Sequence, residues 1–224
     1  MREDRWLAER LRMPVLTFEA GDDPATVVRA AAERAPAFAQ AKVACDDVRT
    51  AGALQDAGFR VVDVNVTLSC PAHPDDLPAG VDEAREADRD AVLSLAEHHF
   101  TVSRFHRDPA IPAAAAGAIK RDWAAAYFDG RRGERLLVGR RDGRPVGFLG
   151  VLASEPGVRV IDIVAVDTAE RGGKVGSSLV KALLASFDGR VGVGTQIANT
   201  GALRFYERLG FLVTDTHYVL HLHA

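Results

Sequence analysis

An apolar run at residues 158–167 passes with almost no spacer into the turn Arg171-Gly172-Gly173-Lys174-Val175-Gly176-Ser177-Ser178. That turn opens a helix reaching about Phe187, and a second apolar run follows at 191–198. Strand, helix and strand in this order predict two parallel strands joined by a helical crossover. The preceding segment reads as antiparallel. Strands at 135–140 and 145–154 flank Asp142-Gly143, a strong hairpin signal, and Glu155-Pro156-Gly157 turns the chain into the 158–167 run. A helix at 200–209 and a last strand at 211–223 complete the pattern. The fold class is α/β, a mixed and mostly antiparallel sheet flanked by helices.

Residues 70–80 carry Pro71, Pro74 and Pro78 with Asp75 and Asp76, which interrupt every periodicity. The chain therefore divides into a small α/β lobe, 1–77, and a larger domain, 78–224. The first reads as strand 15–19, a helix opened by Asp23-Pro24, a strand near 41–45, a helix to Ala57 and strand 60–68. The second begins with helices at 88–100 and 109–128, the latter capped by Asp108-Pro109. Gly58-Phe59, Val61, Asp63 and Leu68 recur at constant offset as Gly210-Phe211, Val213, Asp215 and Leu220. Either two copies of one design or the shared grammar of a helix ending in glycine before a strand accounts for the echo.

Lys and Arg number 28 against 31 Asp and Glu, so no broad basic field exists to attract nucleic acid or an anionic membrane. No apolar run reaches transmembrane length, residues 1–12 lack the apolar core of a signal peptide, and Cys45 and Cys70 read as free thiols. A cytoplasmic protein is expected, with a homodimer left open.

A helix N-terminus offers unpaired N–H groups and a positive dipole end, so the 171–178 turn is a phosphate site. It is not a Walker loop, because Val175 follows Lys174 and Thr168 stands where the first glycine belongs. Gly192 and Gly194 lie within a strand with Ile197 at the third position, which excludes a dinucleotide fingerprint.

Arg171 and Gly176, with the surrounding order of elements, resemble the GNAT superfamily of acetyl-CoA-dependent N-acetyltransferases over residues 78–224. Lys174 departs from that signature by replacing its middle glycine. Residues 103–109, 161–167, Gly194-Thr195-Gln196 with Asn199, and 218–221 together look like the dTDP-fucosamine acetyltransferases, which also carry a small degenerate N-terminal lobe. The resemblance implies acetyl-CoA as co-substrate, held by Arg171, Gly172, Gly173, Lys174, Val175, Gly176 and Ser177 and by the backbone of Val164, Ala165 and Val166. It implies a small-molecule amine acceptor, a nucleotide-linked amino sugar; another amine or a silent acyl-CoA-binding module are the alternatives.

Direct transfer needs a neutral amine, a polarised thioester and a proton for the departing thiolate. Tyr206 is the expected proton donor, and Leu54 stands in its place in the first copy. Asn199 either binds the pantetheine arm or caps its helix. Asp162, a carboxylate in an apolar strand, is a base or the partner of an arginine. Arg104, His106 and Arg107 form a basic loop that suits the acceptor's phosphates, and Gln196 its hydroxyls or the sheet interior. His217, His221 and His223 share one strand face, where a solvent-facing or interfacial place is the simpler expectation and no metal is expected.

Overall fold

The computed structural model describes residues 1–73, 78–170 and 172–224. The elements run β1 (Arg2–Glu3), α1 (Arg5–Leu11), β2 (Val15–Thr17), α2 (Pro24–Ala32), β3 (Phe38–Ala44), α3 (Val48–Asp56), β4 (Arg60–Pro71) and β5 (Val81–Glu83). They continue through α4 (Arg89–His98), α5 (Arg104–Arg107), α6 (Ala113–Phe128), β6 (Arg135–Arg141), β7 (Arg144–Ala153) and β8 (Val158–Val166). The chain ends with α7 (Val175–Ala185), β9 (Arg190–Gln196), α8 (Thr200–Arg208) and β10 (Leu212–His223).

The ten strands form one sheet in the order β1-β2-β3-β10-β4-β9-β8-β7-β6-β5. Asp142 and Gly143 both take positive φ, 50° and 78°, in the β6–β7 hairpin, as the Asp-Gly signal requires. Both α7 and α2 bridge parallel strand pairs, β8–β9 and β2–β3. The two halves share the series strand, helix, strand, helix, strand. Asp4, Asp23, Asp47 and Asn199 cap α1, α2, α3 and α8 by accepting N–H groups of the first turn.

The last strand of each half crosses to the other. β4 lies between β9 and β10, and β10 lies between β4 and β3. Leu68 pairs with Val213, and Val61 with Leu220. Because Val213 echoes Val61 and Leu220 echoes Leu68, this register relates the halves by a pseudo-twofold axis between the strands. Gly58 and Gly210, at equivalent helix ends, both have positive φ. Leu54 and Tyr206 are buried at equivalent places.

One sheet face packs under α2, α3, α7 and α8, with cores built from Ala39, Ala41, Leu54 and Leu220 and from Val66, Leu68, Val193, Leu179 and Tyr206. The opposite face carries α1, α4, α5 and α6 over Phe38, Val138, Phe148 and Ile163. Among the described residues, no helix is long and apolar enough to cross a membrane. Both cysteines are free.

The 109–128 helix begins later than the sequence suggests. α6 starts at Ala113 behind Pro112, and Asp108 ends α5 rather than capping α6. Its Oδ2 instead accepts from His221 and His223, ligands that local sequence does not reveal. Pro74 to Leu77, in the expected linker, lie outside the described residues.

Candidate active site

β8 and β9 pair in parallel only from Val158 with Arg190 to Ile161 with Val193. Beyond that point β8 stays paired with β7, and β9 with β4, so the two strands part and leave a split. Gly150 pairs with Ile163 and Val151 with Ile161, which makes Asp162 the extra residue of a β-bulge at the vertex. The Asp167 N–H bonds the Val146 carbonyl. Because backbone groups alternate sides along a strand, Val164 and Val166 turn theirs into the split, while Ala165 turns its own toward β7.

The turn before α7 sits at the mouth of this split. A Cβ on Gly176 would lie 3.5 Å from Val166 Cγ2. The first helical bond runs from Ser178 N–H to the Lys174 carbonyl, which leaves the N–H groups of Val175, Gly176 and Ser177 without acceptors in the helix. Among the described residues no side chain caps this end, and Ser177 Oγ donates instead to the Lys174 carbonyl at 2.7 Å. In the first half the matching helix, α2, is closed by the carboxylate of Asp23. An anion site is thus filled from within in one copy and open in the other.

Lys174 itself adopts φ 66°, a left-handed conformation that costs a non-glycine residue about 1 kcal/mol. Gly172, with φ 84°, precedes it, and Arg171 lies outside the described residues. A cavity of 240 Å³ adjoins the turn, lined by Arg140, Arg141, Gly173, Val175 and Ser178 among others. Arg141 donates to the Gly173 carbonyl and pairs with Glu170.

Tyr206 is 3% exposed, its ring packed on Phe205 and Phe211. Burial raises its phenol above the ordinary range, so it stays protonated. No protein group among the described residues hydrogen-bonds its hydroxyl, which is unusual for so buried a tyrosine. Asn199 uses Oδ1 to cap α8 through the Ala202 N–H at 3.2 Å, the second of its two expected roles. Gln196 ends β9 opposite Asn65 of β4.

Asp162 points to the α6 face and is fully engaged. It accepts from Trp123 Nε1 at 2.7 Å, Tyr127 at 2.8 Å, and Arg132 Nε and Nη2 at 2.6 Å each. Of its two expected readings, this geometry is the arginine-paired one: the carboxylate anchors α6 and the turn after it to the bulge. Arg104 is likewise occupied, bonding Gln40 and lying 4.4 Å over the Phe105 ring. Burial lowers its guanidinium to about 10. His106 accepts or donates through Nδ1 with Ser103 Oγ at 2.6 Å, and burial, then Lys120, lowers its basicity.

Sequence reasoning passed over Lys120. Its ammonium lies 4.3 Å from the Trp123 ring centroid and 4.9 Å from that of Phe100, with no carboxylate in ion-pair contact among the described residues. Burial, reinforced by the charges of Arg104 and Arg132 and opposed by Asp162, pushes it down to about 8. Helical periodicity places it on α6 without signalling its surroundings. Only the fold brings it beside the bulge.

The three strand histidines divide. His217 is half-buried beside Asp215, while His221, 2% exposed, shares Asp108 Oδ2 with His223 at 2.6 and 2.8 Å. Solvent exposure therefore fails as the account of His221. Burial pushes the Asp108 carboxyl up, but the two histidine bonds outweigh it and hold it well below the usual range. These three ligand atoms lie within 4.8 Å of one another, close enough to hold a metal ion.

A parallel pair that splits at a bulge, with an uncapped helix at its mouth, is the setting in which the comparisons fall. The model of the Acetyltransferase (GNAT) family matches residues 93–211, more than half of the chain. The chain belongs to that family. The spore coat polysaccharide biosynthesis protein SpsD of Bacillus subtilis is 30% identical over 139 residues, covering 60% of this chain and 47% of that protein. The chain thus spans about half of SpsD's length. Among solved structures, a GCN5-related N-acetyltransferase from Kribbella flavida superposes with TM-score 0.59 at 20% identity, covering 93% of this chain and 80% of that one. A tandem GNAT protein from the clavulanic acid biosynthesis pathway gives TM-score 0.60 at 16% identity, with 89% and 68% covered. At these identities the two structures establish the shared GNAT fold.

Proposed function

We propose that this GNAT protein transfers the acetyl group of acetyl-CoA directly to the amine of a nucleotide-linked amino sugar, within one ternary complex. The observation that carries acetyl transfer is the split between β8 and β9, which exposes strand backbone beside an uncapped helix. Val164 and Val166 would pair with the pantetheine amides as an added strand does. The N–H groups of Val175, Gly176 and Ser177 would receive the pyrophosphate, with Lys174 as a nearby cation.

Acetyl-CoA supplies an activated acyl group with a thiolate as leaving group. Tyr206 holds a phenolic proton that no group among the described residues claims, and it delivers that proton to the departing sulfur. An acceptor amine arrives largely protonated and must lose a proton before attack. Lys120 is suited to take it, since burial pushes its amine down to about 8 and no carboxylate among the described residues is in ion-pair contact with it. Asp162, locked by Arg132, Trp123 and Tyr127, positions α6 and the bulge. The amino-sugar acceptor draws support from the likeness to SpsD, a polysaccharide biosynthesis protein, and from exposed Arg107 and Lys42, which suit a diphosphate better than the occupied Arg104.

The test is release of free CoA with dTDP-4-amino-4,6-dideoxygalactose as acceptor. Tyr206→Phe should lower kcat by about 100-fold while leaving acetyl-CoA binding within about twofold. Full turnover in that variant would remove Tyr206 from the mechanism. Turnover with polyamines or peptide amines alone would replace the acceptor and keep the reaction.

A further inference from the structure

β4 runs through the middle of the sheet, yet only one of its faces is apolar. Val66, Leu68 and Cys70 are buried under α7 and α8, while Asp63, Asn65, Thr67 and Ser69 alternate onto the opposite face. Asn65, Thr67 and Ser69 are half-buried there, and Gly194 of β9, paired with Thr67, is exposed. An inner strand with a polar, half-buried row and an exposed glycine beside it leaves a polar stretch of the sheet open to solvent.

The strands on both sides extend the row. Asn65 pairs with Gln196 of β9 and with His217 of β10. A Cβ on Gly194 would come within 3.2 Å of Asn65 Nδ2, so the glycine makes room for the amide to lie across β9. Asn65 Nδ2 donates to the Thr195 carbonyl at 3.2 Å, which leaves its Oδ1 available. Asp63 is 5% exposed, and its Oδ2 and the Nδ1 of His217 are buried without partners among the described residues. Such groups normally find a hydrogen bond. Arg107 of α5 covers the Asp63 end, 3.9 Å from Oδ1 and 40% exposed.

We infer that this row is the floor of the acceptor site, where Asp63, Asn65, Thr67, Gln196 and His217 read the hydroxyls of an amino-sugar ring. The inference rests on the acetyltransferase reading above and adds to it the residues that recognise the sugar. Carboxylate, amide, hydroxyl and imidazole groups in one row supply the mixed donors and acceptors that ring hydroxyls need. A polyamine offers no hydroxyl to match them, and of the two carboxylates on this face Asp63 lies under Arg107 while Asp215, opposite Thr67, pairs with His217. Gln196 closes the row at the β9 side of the split, so a ring lying on this floor has its amine at the edge where the acetyl group enters. The exchanged strands thus give the first half, which has lost its own anion site, a part in the second half's chemistry.

The probe is dTDP-4-amino-4,6-dideoxygalactose, titrated calorimetrically against CoA-saturated protein, with dTDP as comparator. Thr67→Val and Asn65→Leu should each weaken the sugar nucleotide by about tenfold, the scale of one lost hydrogen bond. Binding of dTDP and the KM for acetyl-CoA should stay unchanged. If Asn65→Leu fails to fold, the isosteric Thr67→Val decides. Wild-type sugar affinity and KM in the folded variants would overturn the floor while leaving acetyl transfer intact. A wild-type protein that acetylates spermidine but binds no sugar amine would also overturn it, again without touching the acetyl-CoA site. Absence of turnover with every amine, together with intact sugar binding that the variants weaken, would support the floor and sink the transferase reading instead.

Discussion

Lys120 and Asp162 sit in surroundings opposite to those that the sequence suggests. A carboxylate in an apolar strand looks like a displaced base, but four hydrogen bonds from Trp123, Tyr127 and Arg132 use up its acceptor capacity. A lysine in an alanine-rich helix looks like a solvated charge, but burial and two arginines disfavour its cation. With the amine lowered to about 8, the fraction able to accept a proton falls as pH drops below that value and saturates above it. The expected profile is a kcat that rises tenfold per pH unit up to about 8 and then levels. In Lys120→Gln that acid limb should disappear and kcat at pH 8 should fall about 100-fold. A structural role would lower kcat by one factor at every pH and keep the limb, so the pH series separates the two.

At the scale of elements, the bulge in β8 and the turn after α6 stand or fall together. Arg132 lies in that turn and reaches Asp162 with both Nε and Nη2, while its guanidinium stacks 4.5 Å from the Trp123 ring centroid. Arg132→Met leaves the carboxylate, only 7% exposed, without a countercharge. The expected cost is about 2 kcal/mol, below the full cost of breaking a buried pair because the arginine is partly in water. Urea denaturation should show a lower midpoint at unchanged m, and Arg132→Met with Asp162→Leu should recover part of the loss. Elements of this kind differ in how far sequence exposes them. The meander was legible because Asp142-Gly143 and Glu155-Pro156-Gly157 are local signals, and α8 because Asn199 caps it. β5 and α5 are too short to set up a periodicity. Asp108-Pro109 carries a cap signature, yet its carboxylate is taken by His221 and His223 more than a hundred residues away. The phosphate turn was legible as chemistry, whereas its left-handed Lys174 and the split beside it needed the backbone.

The exchange of β4 and β10 governs the behaviour of the whole molecule. The repeated Gly-Phe segments offered two related halves as one of two readings, but which strand joins which is a matter of long-range pairing that no local pattern encodes. β4 contributes Val66, Leu68 and Cys70 to the core around Tyr206, so the second half has no complete sheet without the first. A fragment of residues 78–224 should therefore lack a stable fold, since removing β4 strips a neighbour from both β9 and β10. The intact chain should unfold as one cooperative unit despite its two-part sequence. Each half supplies one tryptophan to a shared contact, Trp6 on α1 and Trp123 on α6, with ring centroids 5.9 Å apart and edge to face. Arg10 and Asp122 pair beside them at 3.1 Å. Trp6→Phe leaves Trp123 to report the second half, and Trp123→Phe leaves Trp6 to report the first. Urea transitions followed by fluorescence in these two variants should each coincide with the loss of helical circular dichroism measured on the same variant. A first transition seen by Trp6 and a later, separate one seen by Trp123 would mean that the halves fold independently, and that the crossed strands join them without making them one unit.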